Sequence, residues 1–161
     1  GFLQKPIIKM KILDVLPKKA ILDDLKSKNK KGILEELVVP LAHSTGLNSE
    51  DLVRVLMERE RLGSTGIGGG IGIPHGKIKD LDSLVLGFGL SRKGVDFESI
   101  DGEPTHIFFI LITPEDSTGL HLKLLARISR ILKNDHFKER LMNAADRDDI
   151  FDIIKQEDDE F

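Results

Sequence analysis

Hydrophobic and polar positions along the chain repeat with two periods, one typical of helices and one typical of strands. From Asn29 to His43 the apolar residues recur at helical spacing, which predicts a helix over this range. Its expected inward residues are Ile33, Leu34, Leu37, Val38 and Leu41. Leu84 to Leu90 and Ile107 to Ile112 are apolar without alternation, as in central strands that are covered on both faces. The mixture of helical and extended segments indicates an α/β arrangement, with α+β as the borderline alternative.

Caps and breakers predict the other elements. A second helix is predicted to begin after a cap at Asn48 or Ser49 and to run to about Arg61. Glu50 and Asp51 would occupy its first turn, where the helix dipole favours acidic side chains. The remaining predicted elements are a short strand over 20–25, an edge strand over 95–97 and helices over 118–133, 137–145 and 147–156.

Composition limits the function classes. The chain has 161 residues, of which 40% are hydrophobic, and this fits one domain with a sizeable core. A net charge of −3 and an aromatic content of 5% argue against nucleic-acid binding, which needs a basic field and stacking platforms. The lack of cysteine excludes disulfides, thiol catalysis and thiolate metal sites, and it is compatible with a reducing compartment. The longest apolar run is far shorter than the about 20 residues of a membrane helix, so we expect a soluble cytoplasmic protein without membrane insertion.

The two ends of the chain are expected to lie outside the folded domain. Residues 1–9 show no signal-peptide pattern and are interpreted as residues left from cloning or as a disordered N-terminus, with Met10 a plausible natural start. Residues 157–161 are interpreted as a short, solvated acidic tail. The predicted domain therefore spans residues 10–156.

One histidine lies inside a dense run of glycines between Gly63 and Gly76. Glycines cluster where a partner or an anion must approach bare backbone amides, or where φ is positive. Pro74 and Gly76 flank His75, so its imidazole could be presented to a docking partner. The run therefore predicts an active site at His75, and the alternative is a structural turn with an incidental histidine.

The second predicted helix directs one arginine inward. At 100° per residue, Arg59 lies on the side of Leu52 and Leu56, while Arg54 and Arg61 point away. Because Arg59 comes just before the glycine run, its guanidinium could reach an anion held there. The alternative is an arginine that bonds to the last helix carbonyls or covers the edge of the core.

His121 lies on the apolar face of the helix predicted over 118–133. Leu124, Leu125 and Ile128 follow at spacings of three, four and seven residues. A histidine in such a place is commonly a satisfied core residue. Its place in the first turn after a buried strand instead favours a role at an anion site, so both interpretations stay open.

Other kinds of site fit the sequence poorly. The other histidines are His43, His106 and His136, and no pair of histidines has the close spacing of a zinc motif. The glycine run matches neither the P-loop nor the dinucleotide pattern, and no serine lies in a nucleophile elbow. We therefore expect neither a metal nor a cofactor. A histidine that itself accepts a phosphoryl group remains, since amides, hydroxyls and an arginine would stabilise the charge on that group.

The motifs Ser64–Gly68, with sequence STGIG, and Ile73–Gly76, with sequence IPHG, resemble those of a known family, together with Leu120–Leu122 and the helix after it. The family is the enzyme IIA domains of the bacterial phosphotransferase system, in the fructose and mannitol class with its nitrogen-related branch. The order of elements agrees from about Met10 to Ile154. The sequence departs from the commonest loop at Gly69 and Gly72, where Asn and Ala are usual, and we expect a more flexible loop there.

The resemblance implies a single domain with a mixed, mostly parallel β-sheet that is flanked by helices on both faces. It implies a phosphohistidine carrier in which an HPr-type phosphocarrier donates its phosphoryl group to His75, while His121 and Arg59 assist. Ser64, Thr65, Gly66 and Gly76 are then candidates for the loop that stabilises the phosphoryl group, although either hydroxyl could equally bond its own backbone as a turn residue.

The resemblance leaves the acceptor open. Because no IIB or IIC portion is attached, the nitrogen-related regulator is favoured, whose partner would be a regulated target protein. A fructose-specific component that donates to a IIB domain is the first alternative. A binding module that is only switched by phosphorylation of His75 is the second, and a passive anion sensor built on the glycine run is the third.

Overall fold

Six strands form one mixed sheet in the computed structural model, which describes residues 10–116 and 118–160. The strands are β1 (Ile21–Leu22), β2 (Gly66–Gly68), β3 (Ile71–Gly72), β4 (His75–Ile78), β5 (Val85–Val95) and β6 (Thr105–Pro114). Their order is β1-β5-β6-β3-β2. Strand β4 also pairs with β6, on the same side as β3 but nearer the C-terminal end of β6. Strands β1 and β5, β3 and β6, and β4 and β6 are parallel, whereas β5 and β6, and β2 and β3, are antiparallel. The predicted fold class is therefore confirmed. The interpretation of residues 1–9 lies outside the described residues.

Helices cover both faces of this sheet. They are α1 (Lys30–Thr45), α2 (Ser49–Arg61), α3 (Thr118–Ile131), α4 (Asp135–Met142) and α5 (Arg147–Glu160). Helices α1 and α2 pack against each other and against β5 and β4, while α4 and α5 pack against each other and against β5, β6 and β1. In the ranges 10–116 and 118–160, no helix combines the length and the apolar character needed to cross a membrane.

The predicted central strands lie in the middle of the core. From Leu86 to Ser91 and from Ile107 to Pro114 every residue is buried, because both faces of β5 and β6 are covered. The Phe88 and Phe109 rings pack edge to face across the two strands, with centroids 5.0 Å apart. The continuous apolar runs in the sequence therefore predicted the right strands.

The first two predicted helices are confirmed. All five expected inward residues of α1 are at most 1% exposed. The Asn48 side chain accepts a hydrogen bond from the Asp51 amide at 3.1 Å and so caps α2. Arg54 and Arg61 are exposed, as their spacing predicts.

Two predictions about smaller elements are wrong. No separate edge strand forms over 95–97, because Val95 ends β5 and Asp96 makes only an isolated bridge to Asn29. The acidic segment that begins at residue 157 is not a solvated tail, since α5 continues to Glu160 and Asp158 is 1% exposed. The Asp158 carboxylate accepts hydrogen bonds from the amides of Ile12 and Leu13 and from Arg127, and these contacts order the segment.

Candidate active site

His75 is the first residue of β4 and lies beside Leu111 of β6. The strand carries no side chain at the next position, Gly76, and α2 uses this space. A Cβ at Gly76 would lie 2.8 Å from Cγ1 of Val55, so a larger residue would force the Val55 side chain or the helix to shift. The close approach of helix and strand places the last turn of α2 next to His75.

The orientation of the half-buried His75 ring is fixed by one hydrogen bond. Nδ1 lies 2.8 Å from the carbonyl oxygen of Ile73. Because a carbonyl oxygen can only accept, Nδ1 must carry the proton. In the neutral ring, Nε2 therefore holds the lone pair and is the nucleophilic nitrogen.

His121 stands beside His75, in the first turn of α3. It is 7% exposed, and its Nδ1 lies 3.3 Å from Oγ1 of Thr113 on β6. The centroids of the two imidazole rings are 5.2 Å apart. His121 is therefore a bonded and buried histidine, and it also lines the same cleft as His75.

Arg59 lies at the end of α2, between the backbone after the helix and the cleft. Its guanidinium donates a hydrogen bond to the Gly63 carbonyl at 2.9 Å, just beyond the end of α2. The half-buried side chain also lines the cleft that contains both histidines. The hydrogen bond holds the cation at the edge of this cleft.

The cleft has a volume of about 470 Å³. It is lined by Val55, Glu58, Arg59, Leu62, His75, Gly76, Lys77, His121 and Leu122. Leu62 and Leu122 are 85% and 60% exposed, so apolar surface flanks the polar centre. Two cations, Arg59 and Lys77, and one carboxylate, Glu58, line the cleft, so positive charge is in excess there. Within the described residues, no group of three or more ligating side chains could hold a metal ion.

Both histidines of the cleft favour the neutral form. Burial lowers the pKa of His75 from its ordinary 6.5; its bond to Ile73 acts the other way, Arg59 lowers the pKa further, and Glu60 raises it. The pKa of His121 is also lowered, mainly by burial and then by the charges of His75 and Lys77. At pH 7 the His75 ring is therefore predominantly neutral.

Three residues of the expected phosphoryl-stabilising loop lie outside this cleft. Ser64 Oγ donates to the Phe97 carbonyl at 2.8 Å and accepts from the Gly66 amide at 3.0 Å. The Thr65 hydroxyl donates to Glu60. The prediction for Ser64, Thr65 and Gly66 is thus corrected, because turn and core contacts already occupy these groups. Gly76 lines the cleft, where it gives room to α2.

The glycine run separates into a turn and a site. Gly68 at the end of β2 and the turn residues Gly69 and Gly70 have φ values of 92°, 66° and 80°. β3 pairs with Ile107, whereas His75 pairs with Leu111, four residues or about 13 Å further along β6. The glycine turn therefore does not surround His75, and its positive φ angles account for the glycines.

Comparison with known proteins identifies the family. The model of the family "Phosphoenolpyruvate-dependent sugar phosphotransferase system, EIIA 2" matches residues 14–157. The chain belongs to this family. It is thus an EIIA-type domain, from a family of phosphocarriers.

Relatives of this EIIA domain come from two branches. It is 39% identical to a nitrogen regulatory protein of Bradyrhizobium diazoefficiens over 90% of this chain and 95% of that protein. It is 37% identical to the fructose-specific EIIABC component of Bacillus subtilis, over 92% of this chain but 24% of that protein. The crystal structure of nitrogen regulatory protein IIA-Ntr from Neisseria meningitidis superposes with a TM-score of 0.83 and 33% identity, over 88% of this chain and 97% of the other.

Sequence patterns did not single out two charged residues at or near the site of the EIIA domain. Lys77 lines the cleft, and its spacing of two residues from His75 on one strand is a signal that could have found it. Glu60 is 7% exposed and bonds to Thr65, five residues later, and to Lys30, 30 residues earlier in the sequence. Only the folded structure shows that these groups meet.

Proposed function

We propose that this EIIA domain is a phosphohistidine carrier whose acceptor atom is Nε2 of His75. The observation that carries the proposal is the hydrogen bond from Nδ1 to the Ile73 carbonyl, which leaves the Nε2 lone pair available in the cleft. The donor is an HPr-type phosphocarrier, as the family resemblance implies.

The transfer is an in-line exchange of one bond to phosphorus. The Nε2 lone pair of His75 attacks the phosphorus, and a new nitrogen–phosphorus bond forms. The bond between phosphorus and the donor breaks, and its electron pair stays with the donor. The proton on Nδ1 remains in place, bonded to Ile73, so the His75 ring gains positive charge as the phosphoryl group arrives.

Arg59 and His121 are the proposed partners of the phosphoryl oxygens. Both line the cleft with His75, and the guanidinium of Arg59 offers several donors in a planar array. The lowered pKa of His75 supports the same step, because burial keeps the nucleophile neutral at physiological pH. The scheme requires neither a metal nor a nucleotide.

The acceptor is proposed to be a regulated target protein, as in the nitrogen-related branch. The support is the 39% identity to a nitrogen regulatory protein over nearly its whole length. A fructose-specific role, with a IIB domain as acceptor, is the second candidate because of the 37% identity to a fructose-specific component. A module that is switched by phosphorylation without onward transfer is the third. For all three candidate functions, the proposed location of the protein is the cytoplasm.

Intact-mass measurement tests the carrier function. Incubation with a phosphorylated HPr-type carrier is expected to add one phosphoryl group to the wild type and none to His75→Ala. The matched control is His106→Ala, because His106 is also half-buried and its Nδ1 also contacts a backbone carbonyl, that of Ser91 at 2.9 Å. Phosphorylation of folded His75→Ala would reject the assignment.

The same experiment separates the acceptors. Addition of a IIB domain to the phosphorylated protein should leave the label in place if the domain is a regulator, and should remove it if the domain is a fructose component. Binding of inorganic phosphate without covalent labelling would instead support the passive sensor.

A further inference from the structure

A buried ion pair lies behind the end of α2. Glu60 and Lys30 are 7% and 8% exposed, and Oε1 of Glu60 accepts a hydrogen bond from Nζ of Lys30 at 2.9 Å. Nζ also lies 4.7 Å from the ring centroid of Phe97. Burial of two charges is costly and is seldom repaid by their attraction alone. The position therefore suggests a role beyond stability.

The carboxylate of Glu60 organises the segment that follows α2. It accepts hydrogen bonds from the Thr65 amide at 3.1 Å and from the Thr65 hydroxyl. Thr65 itself is 4% exposed. One charged group thus fixes both the backbone and the side chain of this residue.

From Thr65 a chain of hydrogen bonds leads to the candidate nucleophile. The Thr65 carbonyl accepts from the Ile73 amide at 3.0 Å. The Ile73 carbonyl accepts from Nδ1 of His75 at 2.8 Å. The bond that sets the tautomer of His75 is therefore anchored, through two backbone groups, on the Glu60 carboxylate.

We propose that Lys30, Glu60 and Thr65 are positioning residues that hold His75 in its reactive tautomer and offset the positive charge that its ring gains on phosphorylation. The proposal rests on the carrier function and deepens it. None of the three residues lines the cleft, so they would act on His75 through other groups. Lys30 keeps the carboxylate in place, Glu60 supplies the negative charge, and Thr65 passes the constraint to the backbone of Ile73.

The charges around His75 give Glu60 a distinct electrostatic role. Arg59 and Glu58 face the cleft from α2, Lys77 from β4 and His121 from α3. Arg59 lowers the pKa of His75, whereas Glu60 raises it. Loss of the Glu60 charge should therefore move the midpoint of His75 titration to lower pH, which a purely structural residue would not do.

The test compares Glu60→Gln, Thr65→Val and Thr65→Ser. Glu60→Gln keeps the shape and removes the charge, Thr65→Val removes the hydroxyl, and Thr65→Ser keeps it. The matched control is Asp158→Asn, which also breaks a buried ion pair, with Arg127 at 2.9 Å, but among groups that do not line the cleft. For each folded variant, ¹⁵N NMR of the imidazole gives the tautomer and titration midpoint of His75, and single-turnover labelling gives the transfer rate.

Glu60→Gln is expected to slow transfer about tenfold, to lower the His75 midpoint and to reduce the fraction with a proton on Nδ1. Thr65→Val should shift the tautomer in the same direction, and Thr65→Ser should restore the wild-type values. Asp158→Asn should lose stability with the His75 signals unchanged. If Glu60→Gln does not fold, Thr65→Val decides the outcome. The proposal is overturned if the folded variants keep wild-type tautomer, midpoint and rate.

The NMR readouts do not depend on phosphorylation. A wild type that is never labelled, with a His75 tautomer that still responds to Thr65→Val, would refute the carrier function and retain the positioning network. Normal labelling with an unresponsive tautomer would do the reverse.

Discussion

The imidazole rings of His75 and His121 meet edge to face, with their planes inclined by 73° and their centroids 5.2 Å apart. The rings come from β4, which pairs with the last residues of β6, and from α3, which is the next helix after β6 in the chain. At this separation a positive charge on one ring opposes a charge on the other. Charge on His75 is therefore one of the causes that lower the pKa of His121, after burial.

Removal of one histidine should change the titration of the other. Charge on His75 is one cause of the lowered pKa of His121, so His75→Ala is expected to raise the pKa of His121 toward its ordinary 6.5. NMR titration of the His121 ring measures this shift. In His106→Ala, which removes a histidine outside the cleft, the His121 midpoint should not move; an equal shift in both variants would show that the coupling is absent.

Arg59 should be needed for the rate of transfer. Arg59→Ala is expected to slow labelling about 100-fold, because it removes a preorganised cation from the developing charge on the phosphoryl group. It should also raise the pKa of His75, since Arg59 lowers it. The control is Arg61→Ala, two residues later on the same helix and exposed on another face. Equal rates for the two variants would remove Arg59 from the site.

Stability should fall as the solution is acidified below pH 6.5. The pKa values of His75 and His121 are lowered in the folded state, so the unfolded chain binds more protons just below their ordinary 6.5. The contribution of these two groups to the free energy of unfolding is therefore highest above pH 6.5 and falls as the pH drops below 6.5. It levels off once the pH is below the folded-state pKa values of both histidines. Urea unfolding at several pH values measures the slope. His75→Gln should flatten it, and an unchanged slope would contradict the burial argument.

Asp158 should contribute to stability and Asp159 should not. Asp158→Asn removes a carboxylate that bonds to Ile12, Leu13 and Arg127 in the interior, so it is expected to cost about 3 kcal/mol. Asp159→Asn breaks only the exposed pair with Lys11 and should change the free energy of unfolding little. Chemical denaturation of the two variants gives the comparison. Equal stabilities would restore the interpretation of this segment as a solvated tail.

The sequence was most informative where local periodicity decides the structure. The inward face of α1, the cap at Asn48 and the two central strands were predicted because apolar spacing and capping act over a few residues. Arg59 was identified as inward by the same helical geometry, and the structure places it at the cleft.

The sequence was least informative where distant residues meet. The acidic residues from 157 onward predict a solvated segment, because the sequence does not show that Arg127 lies 2.9 Å from Asp158. Glu60 has no local signal, because its partner Lys30 is 30 residues away. The glycines from Gly68 to Gly70 satisfy a turn as well as an anion site, and local chemistry cannot separate the two.

Asp158 also joins the first and last parts of the described domain. Its carboxylate holds the amides of Ile12 and Leu13, and Lys11 pairs with Asp159 at 3.0 Å. Polypeptide attached ahead of residue 11 and polypeptide attached beyond residue 159 would therefore leave from neighbouring points on the surface. A domain whose two ends are neighbours can be inserted into a longer chain through two short adjacent linkers, with little strain on the host protein.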